Sequence, residues 1–484
     1  MQKTVQTIAA ALRSYLEAER ERHLERVREF LRQPSVPSEN LGVAEGARLL
    51  ARYFEELGCQ EVELIPNGDF PGVWAYYDAG APRTLASYCM FDTKPARREA
   101  WPCDPFAAEL ADLPGLGRAV VAPGARGRKA PYVQWLNALE ALRVVRGDLP
   151  CNVLFLAEGQ ENVGSPDYHR FVDRYRDRLR RASACFCPGA AQTASGEVTI
   201  HLGFKGLLYL RIGASGRRMG VGPQAAPAHG MAQGLVDSPV WRLVDALATL
   251  TADGGRTITV DDFFADHQPP TEQERAEVRA FVARQGDRHW LEFLPGVNGA
   301  ASSRAGLSNE EACLRYFFEP SMNINGLAAG FTGPGAPVFT LPHQAWALLD
   351  VRVPRGYSSR RTVDRIRAHL ERRGFADLEV DALAVHEPSQ TSADHPWVRS
   401  VLDLIAEYGY GVHLSPFTGG GGPWSLLANE FGLPVLFDVG LGHGGRAGQP
   451  GEYLVIEGNE RVADFVQCEL FYADLVQRFA ALPV

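Results

Sequence analysis

The apolar run Val153-Leu154-Phe155-Leu156-Ala157 ends on an acidic turn, Glu158-Gly159-Gln160-Glu161-Asn162. A short, unbroken apolar run closed by glycine and acids reads as a strand buried on both faces. A strong helical pattern over 132–145 precedes it. Upstream lie strand-like runs at 62–65, 72–77 and 84–91, and a helix over 43–57 that stops at Gly58. Strands alternating with helices predict an α/β sheet covered on both faces. In such sheets sites form at the carboxyl ends of strands. Asp92 and the turn at 158–162 both stand at such ends.

The texture changes near residue 204. A strand over 206–212, a helix over 236–251 and a polar, helix-rich stretch over 271–315 follow. Strands at 323–324 and 345–353 and a helix over 363–373 complete a smaller α+β unit. Beyond about 389 the α/β texture resumes, with a helix over 395–408, the glycine run Gly419-Gly420-Gly421-Gly422 and a helix over 424–431. A strand over 434–439 and a last helix over 460–482 close it. The expected organisation is an α/β catalytic-type domain with a mixed sheet flanked by helices, over 1–203 and 389–484. An α+β domain over 204–388 is inserted into it.

A net charge of −9 argues against nucleic acid or an anionic membrane as partner, since both favour a basic face. Charges are scattered through the first 32 residues, with no apolar segment of signal-peptide type. No run approaches the length of a membrane span. These features predict a cytoplasmic protein. The 8 cysteines include no Cys-x-x-Cys pair and predict small buried residues rather than a disulfide framework.

Several patches, taken in order, carry a resemblance. They are Trp101-x-x-Asp104-Pro105-Phe106, Leu136-Asn137-Ala138-Leu139-Glu140-Ala141 and Glu158-Gly159-x-Glu161-x-x-Gly164-Ser165-Pro166. Asn323-Ile324-Asn325-Gly326, Thr332-Gly333-Pro334-Gly335 and Leu349-Asp350-Val351-Arg352-Val353-Pro354 follow. Together they resemble the co-catalytic zinc exopeptidases and deacylases: acetylornithine deacetylase, succinyl-diaminopimelate desuccinylase, glutamate carboxypeptidase and carnosine dipeptidase. The resemblance implies an amidohydrolase fold whose inserted domain acts as a lid and forms a homodimer. It also implies two zinc ions roughly 3.5–4 Å apart, held by imidazole and carboxylate around an activated water.

The five ligand positions implied by the resemblance carry other residues here. Met90 stands for a histidine, Gly127 for a bridging aspartate and Asn162 for a glutamate. No acid follows Cys187-Pro188, and Gly448 precedes Gln449-Pro450-Gly451-Glu452 where a histidine is expected. Thioether, glycine and amide do not reproduce a hard nitrogen and oxygen site. The expectation is therefore no metal and no other cofactor.

What remains points to chemistry without zinc. Glu161 matches the family's general acid/base, and Asp92 matches the acid that orients the first ligand. Arg126, Arg128 and Lys129 fill the replaced loop, with Arg446 further on, so guanidinium groups are expected to stand where metal charge stood. Asn162 is placed with them on the substrate. Arg352 matches an arginine that reaches the substrate carboxylate, and Gly420 and Gly421 match a loop that approaches substrate. His443, alone among glycines, is a candidate acid or base. Glu161, Asp92, Lys129 and His443 are thus the catalytic candidates. The expected function is a metal-independent enzyme acting on a small carboxylate-bearing amide or amino-acid derivative. Hydrolysis of a C–N bond or a drifted reaction such as acyl transfer, condensation or elimination would fit. A non-catalytic binding protein is one alternative. A hydrolase whose metal has moved to Asp92, His443 or the cysteines Cys89 and Cys187 is another.

Overall fold

The computed structural model describes residues 2–68, 70–294, 306–331, 335, 339–415 and 417–483. The chain divides into two units. The first comprises Met1–Leu202, Gln390–Ser415 and Leu426–Val484; the second comprises Gly203–Ser389 and Pro416–Ser425. The glycine-rich segment near 420, expected with the α/β domain, thus groups with the inserted one.

The first unit is built on eight strands: β1 (Glu61–Asn67), β2 (Phe70–Tyr77), β3 (Thr84–Met90), β4 (Asn152–Glu158), β5 (Ala184–Pro188), β6 (Val198–His201), β7 (Val412–Ser415) and β8 (Val435–Val439). Their order across the sheet is β1-β2-β4-β3-β5-β8-β6-β7. The central strands run parallel, with β4, β3, β5 and β8 in register through Met90↔Glu158, Ser87↔Phe186 and Phe437↔Cys187. Every residue of β4 is buried, as a strand covered on both faces requires.

Four helices matter for the site: α1 (Gln2–Arg32), α2 (Val43–Leu57), α3 (Lys129–Arg146) and α4 (Phe465–Ala481). α1, α3 and α4 pack on one another. Trp135 of α3 ties this layer to the sheet, with its ring 5.0 Å from Phe186 and 6.0 Å from Tyr472. Helix periodicity located α2 to the residue, whereas α3 begins three residues before the helical pattern does. The reason is Pro131, which fits the first turn of a helix and so lies inside α3.

The second unit holds a four-stranded sheet in the order Ser321–Ala329, Gln344–Val353, Gly206–Ser215, Glu379–His386. Helices Pro239–Leu250 and Ser359–Arg372 cover one face. The alternating burial along Gln344–Val353 marks that face. Of the quoted family-like patches, Thr332-Gly333-Pro334 lies outside the described residues.

Candidate functional site

Residues from the ends of β3 and β4, from the loop that enters α3 and from the 447–452 loop surround a cavity of about 200 Å³. Met90, Asp92, Lys94, Arg126, Arg128, Asn162 and Glu452 line it. Asp438, at the end of β8, does not line the cavity but holds two residues that do. Arg126 pairs with it through two parallel bonds, Nη1 to Oδ1 at 3.0 Å and Nη2 to Oδ2 at 2.7 Å. Arg128 Nη1 donates to the same Oδ1. The Arg128 guanidinium also lies over the Phe437 ring, 4.3 Å from its centroid. Burial alone would raise the Asp438 carboxyl, but the Arg126 and Arg128 charges outweigh it and hold the group well below the usual carboxylate range.

This clasp carries backbone strain. Arg128 has φ +105 and Asp438 has φ +62, a region that side chains other than glycine rarely occupy. Each such residue costs on the order of 1–3 kcal/mol and persists where surrounding contacts fix it. Gly189 makes room for the clasp, since a Cβ there would lie 1.9 Å from Asp438 Oδ1.

A second carboxylate, Glu452, accepts from main-chain N–H groups: Arg126 at 2.8 Å, Gly127, and Gly448 at 3.0 Å. Its Oε1 lies 3.1 Å from where a Gly127 side chain would begin. Burial raises this carboxyl against the pull of the amides. Asp92 is similar. It accepts from the N–H of Glu161 at 3.1 Å and of Asn162 at 2.8 Å, and burial lifts it to about 6. It therefore anchors the turn Glu161–Val163. The Asn162 amide returns a bond to the Asp92 carbonyl at 3.2 Å. Glu161 is half-buried on that turn, beside the lining residue Asn162.

Other candidates lie apart from this cavity. The Lys129 ammonium is enclosed, donating to Gln33 O at 2.6 Å and Ser35 Oγ at 3.2 Å and sitting 4.6 Å from the Phe30 centroid. Burial pulls it down to about 7. As the first residue of α3, its side chain enters the helix layer instead of following its neighbours. His443 is braced between Gln192 O at 2.8 Å and Tyr453 Oη at 3.2 Å. Arg446 is exposed and reaches Pro450 O at 3.4 Å. Arg352, in the second unit, pairs with Asp350 through bonds of 2.6 and 3.0 Å. Gly420 accepts from Lys205 N at 3.0 Å, and a Cβ on Gly421 would lie 2.0 Å from Lys205 O. That loop is glycine because it packs on its own strand.

Sequence reasoning missed Asp438, Glu452 and Lys94. An acid inside the apolar run Val435-Leu436-Phe437-Asp438-Val439 was a usable signal, because a buried charge needs a partner. Two carboxylates thus reach the site from positions other than those the resemblance assigns. Neither is free for a cation: Asp438 is consumed by guanidinium groups and Glu452 by amides. Among the described residues no group of three or more His, Cys, Asp or Glu is placed to hold a metal ion. With Met90, Gly127 and Asn162 at the assigned positions, this donor set does not fit a zinc pair.

Comparison with known proteins places the chain. The human β-Ala-His dipeptidase is 24% identical over 323 residues, covering 66% of this chain and 59% of that protein. A Cys-Gly metallodipeptidase of Candida albicans is 22% identical over 368 residues, covering 72% of each. The match spans about six-tenths of the human protein's length. A metallo-carboxypeptidase from Sulfolobus solfataricus superposes with a TM-score of 0.81 at 25% identity, over 95% of this chain and 99% of that one. Human carnosine dipeptidase 1 superposes with a TM-score of 0.74 at 18% identity, over 98% of this chain and 100% of that one. Residues 91–478 match the model of peptidase family M20/M25/M40, and the chain belongs to that family.

Proposed function

We propose that the first unit's pocket takes a small carboxylate-bearing amide or amino-acid derivative and that the chain acts on it without a zinc pair. The observation that carries this reading is the pair of guanidinium groups, Arg126 and Arg128, bridged by Asp438 at the cavity wall. Preorganised guanidinium groups in a desolvated wall bind carboxylates and stabilise developing oxyanions. Glu161 is the proton shuttle, at the edge of the same cavity. The dipeptidase relatives favour C–N bond cleavage as the reaction.

The test is turnover of N-acyl amino acids and dipeptides by protein purified with and without added zinc and then treated with a chelator. Turnover that survives the chelator, with less than about a tenth of a metal ion per chain, is the expected result. Loss of turnover on chelation would sink the metal-free reading. Glu161→Gln should cost about 10²–10⁴-fold in kcat with an unchanged melting temperature. A variant as active as the parent would remove Glu161 from the chemistry, and absence of turnover in both would favour a binding protein.

The second unit is proposed to pair with a second copy of the chain. Strand Ser321–Ala329 is one of the two edge strands of its sheet among the described residues, and Ile324 and Leu327 on it are 50% and 58% exposed. An edge strand that exposes apolar side chains is a template for strand addition. Light scattering should give twice 53.0 kDa for the parent and 53.0 kDa for Leu327→Lys. A monomeric parent would refute the pairing.

A further inference from the structure

His201 ends β6, and its antiparallel neighbour on β8 is Phe437. Phe437 is the ring on which the Arg128 guanidinium rests, and Asp438 is the next residue. In the other direction Phe437 pairs with Cys187 of β5, and His201 pairs with the uncharged Ser415 of β7. His201 is largely buried, and its Nδ1 is enclosed with no hydrogen-bond partner. Arg128 Nε is enclosed and without a partner as well. A buried polar atom in this condition calls for an explanation, and a group it binds or a proton it takes up is one. The charges that bear on the ring are Asp438, Arg126 and Arg128, the members of the clasp.

We infer that His201 is the proton carrier of the clasp: a small oxyanion bound beside Arg126 and Arg128 brings a proton onto its imidazole. The inference rests on the pocket reading above and adds a residue and a linkage to it. Burial pushes the free imidazole down to about 4; Asp438 opposes this and the two arginines add to it. An anion that pairs with the arginines removes their repulsion and adds attraction, so the protonated ring becomes the favoured form. The sign follows from linkage. Binding takes up a proton, so affinity rises as pH falls through the bound-state midpoint and levels off below the free-state one. Asp92 and Glu452, which also line the cavity, add their own protonation as pH falls, so the ring itself must be observed.

The probe is N-acetylglycine, the simplest carboxylate-bearing amide, added to full-length protein labelled at its histidines. His201→Asn assigns the His201 signal among the 12 histidines. Saturation should move the His201 midpoint from about 4 to about 6 or above. Calorimetry should give at least about tenfold tighter binding at about pH 5 than at about pH 8. His201→Asn should bind as the parent does at the higher pH and lose most of that gain. If N-acetylglycine binds and Arg128→Gln weakens it, but the His201 signal does not move, the proton carrier is refuted and the pocket reading stands. If the parent shows no binding up to about 50 mM, weaker than any useful site, both are refuted.

Discussion

Asp438→Asn is expected to destabilise the fold by about 3–5 kcal/mol, the cost of leaving buried cations without their counter-charge. Arg126 and Arg128 are each less than one-fifth exposed and share this one carboxylate. Asparagine keeps the shape and one acceptor, so the loss isolates charge from packing. Denaturant melts at neutral pH measure it. The triple variant Arg126→Met, Arg128→Leu, Asp438→Asn should recover most of the loss, because removing all partners of a buried ion pair costs far less than removing one. A single variant within about 0.5 kcal/mol of the parent would mean that solvent reaches the clasp. The pH dependence has a definite sign. A carboxyl held below its ordinary value contributes stability that is fully present above the unfolded value near 4. That stability is lost as pH falls through the folded value, so Asp438→Asn should lack this share of the acid limb and keep the part owed to the other depressed carboxylates, such as Glu140 and Asp377.

Lys129→Met should do the opposite and stabilise the protein by about 2 kcal/mol. Lowering the ammonium from 10.5 to about 7 corresponds to at most roughly 5 kcal/mol of unfavourable burial. Methionine leaves Gln33 O and Ser35 Oγ without their donor, at about 1 kcal/mol each or more, and the remainder favours the variant. The unfolded chain binds this proton more tightly than the folded one between about pH 7 and pH 10. Parent stability should therefore climb with pH across that window; Lys205, also pulled down to about 7 by burial, adds to the climb, so Lys129→Met should reduce it by the Lys129 share. A destabilised variant with intact turnover would show that the two acceptors outweigh desolvation.

The fold was largely legible because its strands and helices carry strong periods: β4 is unbroken apolar sequence, and α2 is amphipathic with a glycine stop. The strands Glu109–Leu113 and Gly117–Val121 escaped notice: they pair with each other as a short hairpin with no alternating pattern to read, and the further partner of Gly117–Val121 is Tyr453–Val455, more than 300 residues away. The site was legible by position and not by direction. The loop before α3 contributes Arg126 and Arg128 to the cavity lining, yet sequence does not tell that these two turn to Asp438 while Lys129 turns into the helix layer. Likewise Arg352 and Asp350 are two apart on a strand, so they share a face and satisfy each other.

The packing of α1 against α4 imposes an order on biosynthesis. His23 Nδ1 and Glu469 Oε2, 446 residues apart, meet at 2.8 Å inside that layer. At ribosomal speeds of about 5–20 residues per second, α1 waits on the order of 20–90 s for its partner. During that time Leu12, Leu16, Leu24 and Val27, all buried in the finished protein, have no α4 to cover them. The second unit, nearly all of it one continuous stretch, has its own core complete well before then. The nascent chain is therefore a finished insert flanked by two halves of an open sandwich. A chaperone that shields amphipathic helices would find its natural client in α1.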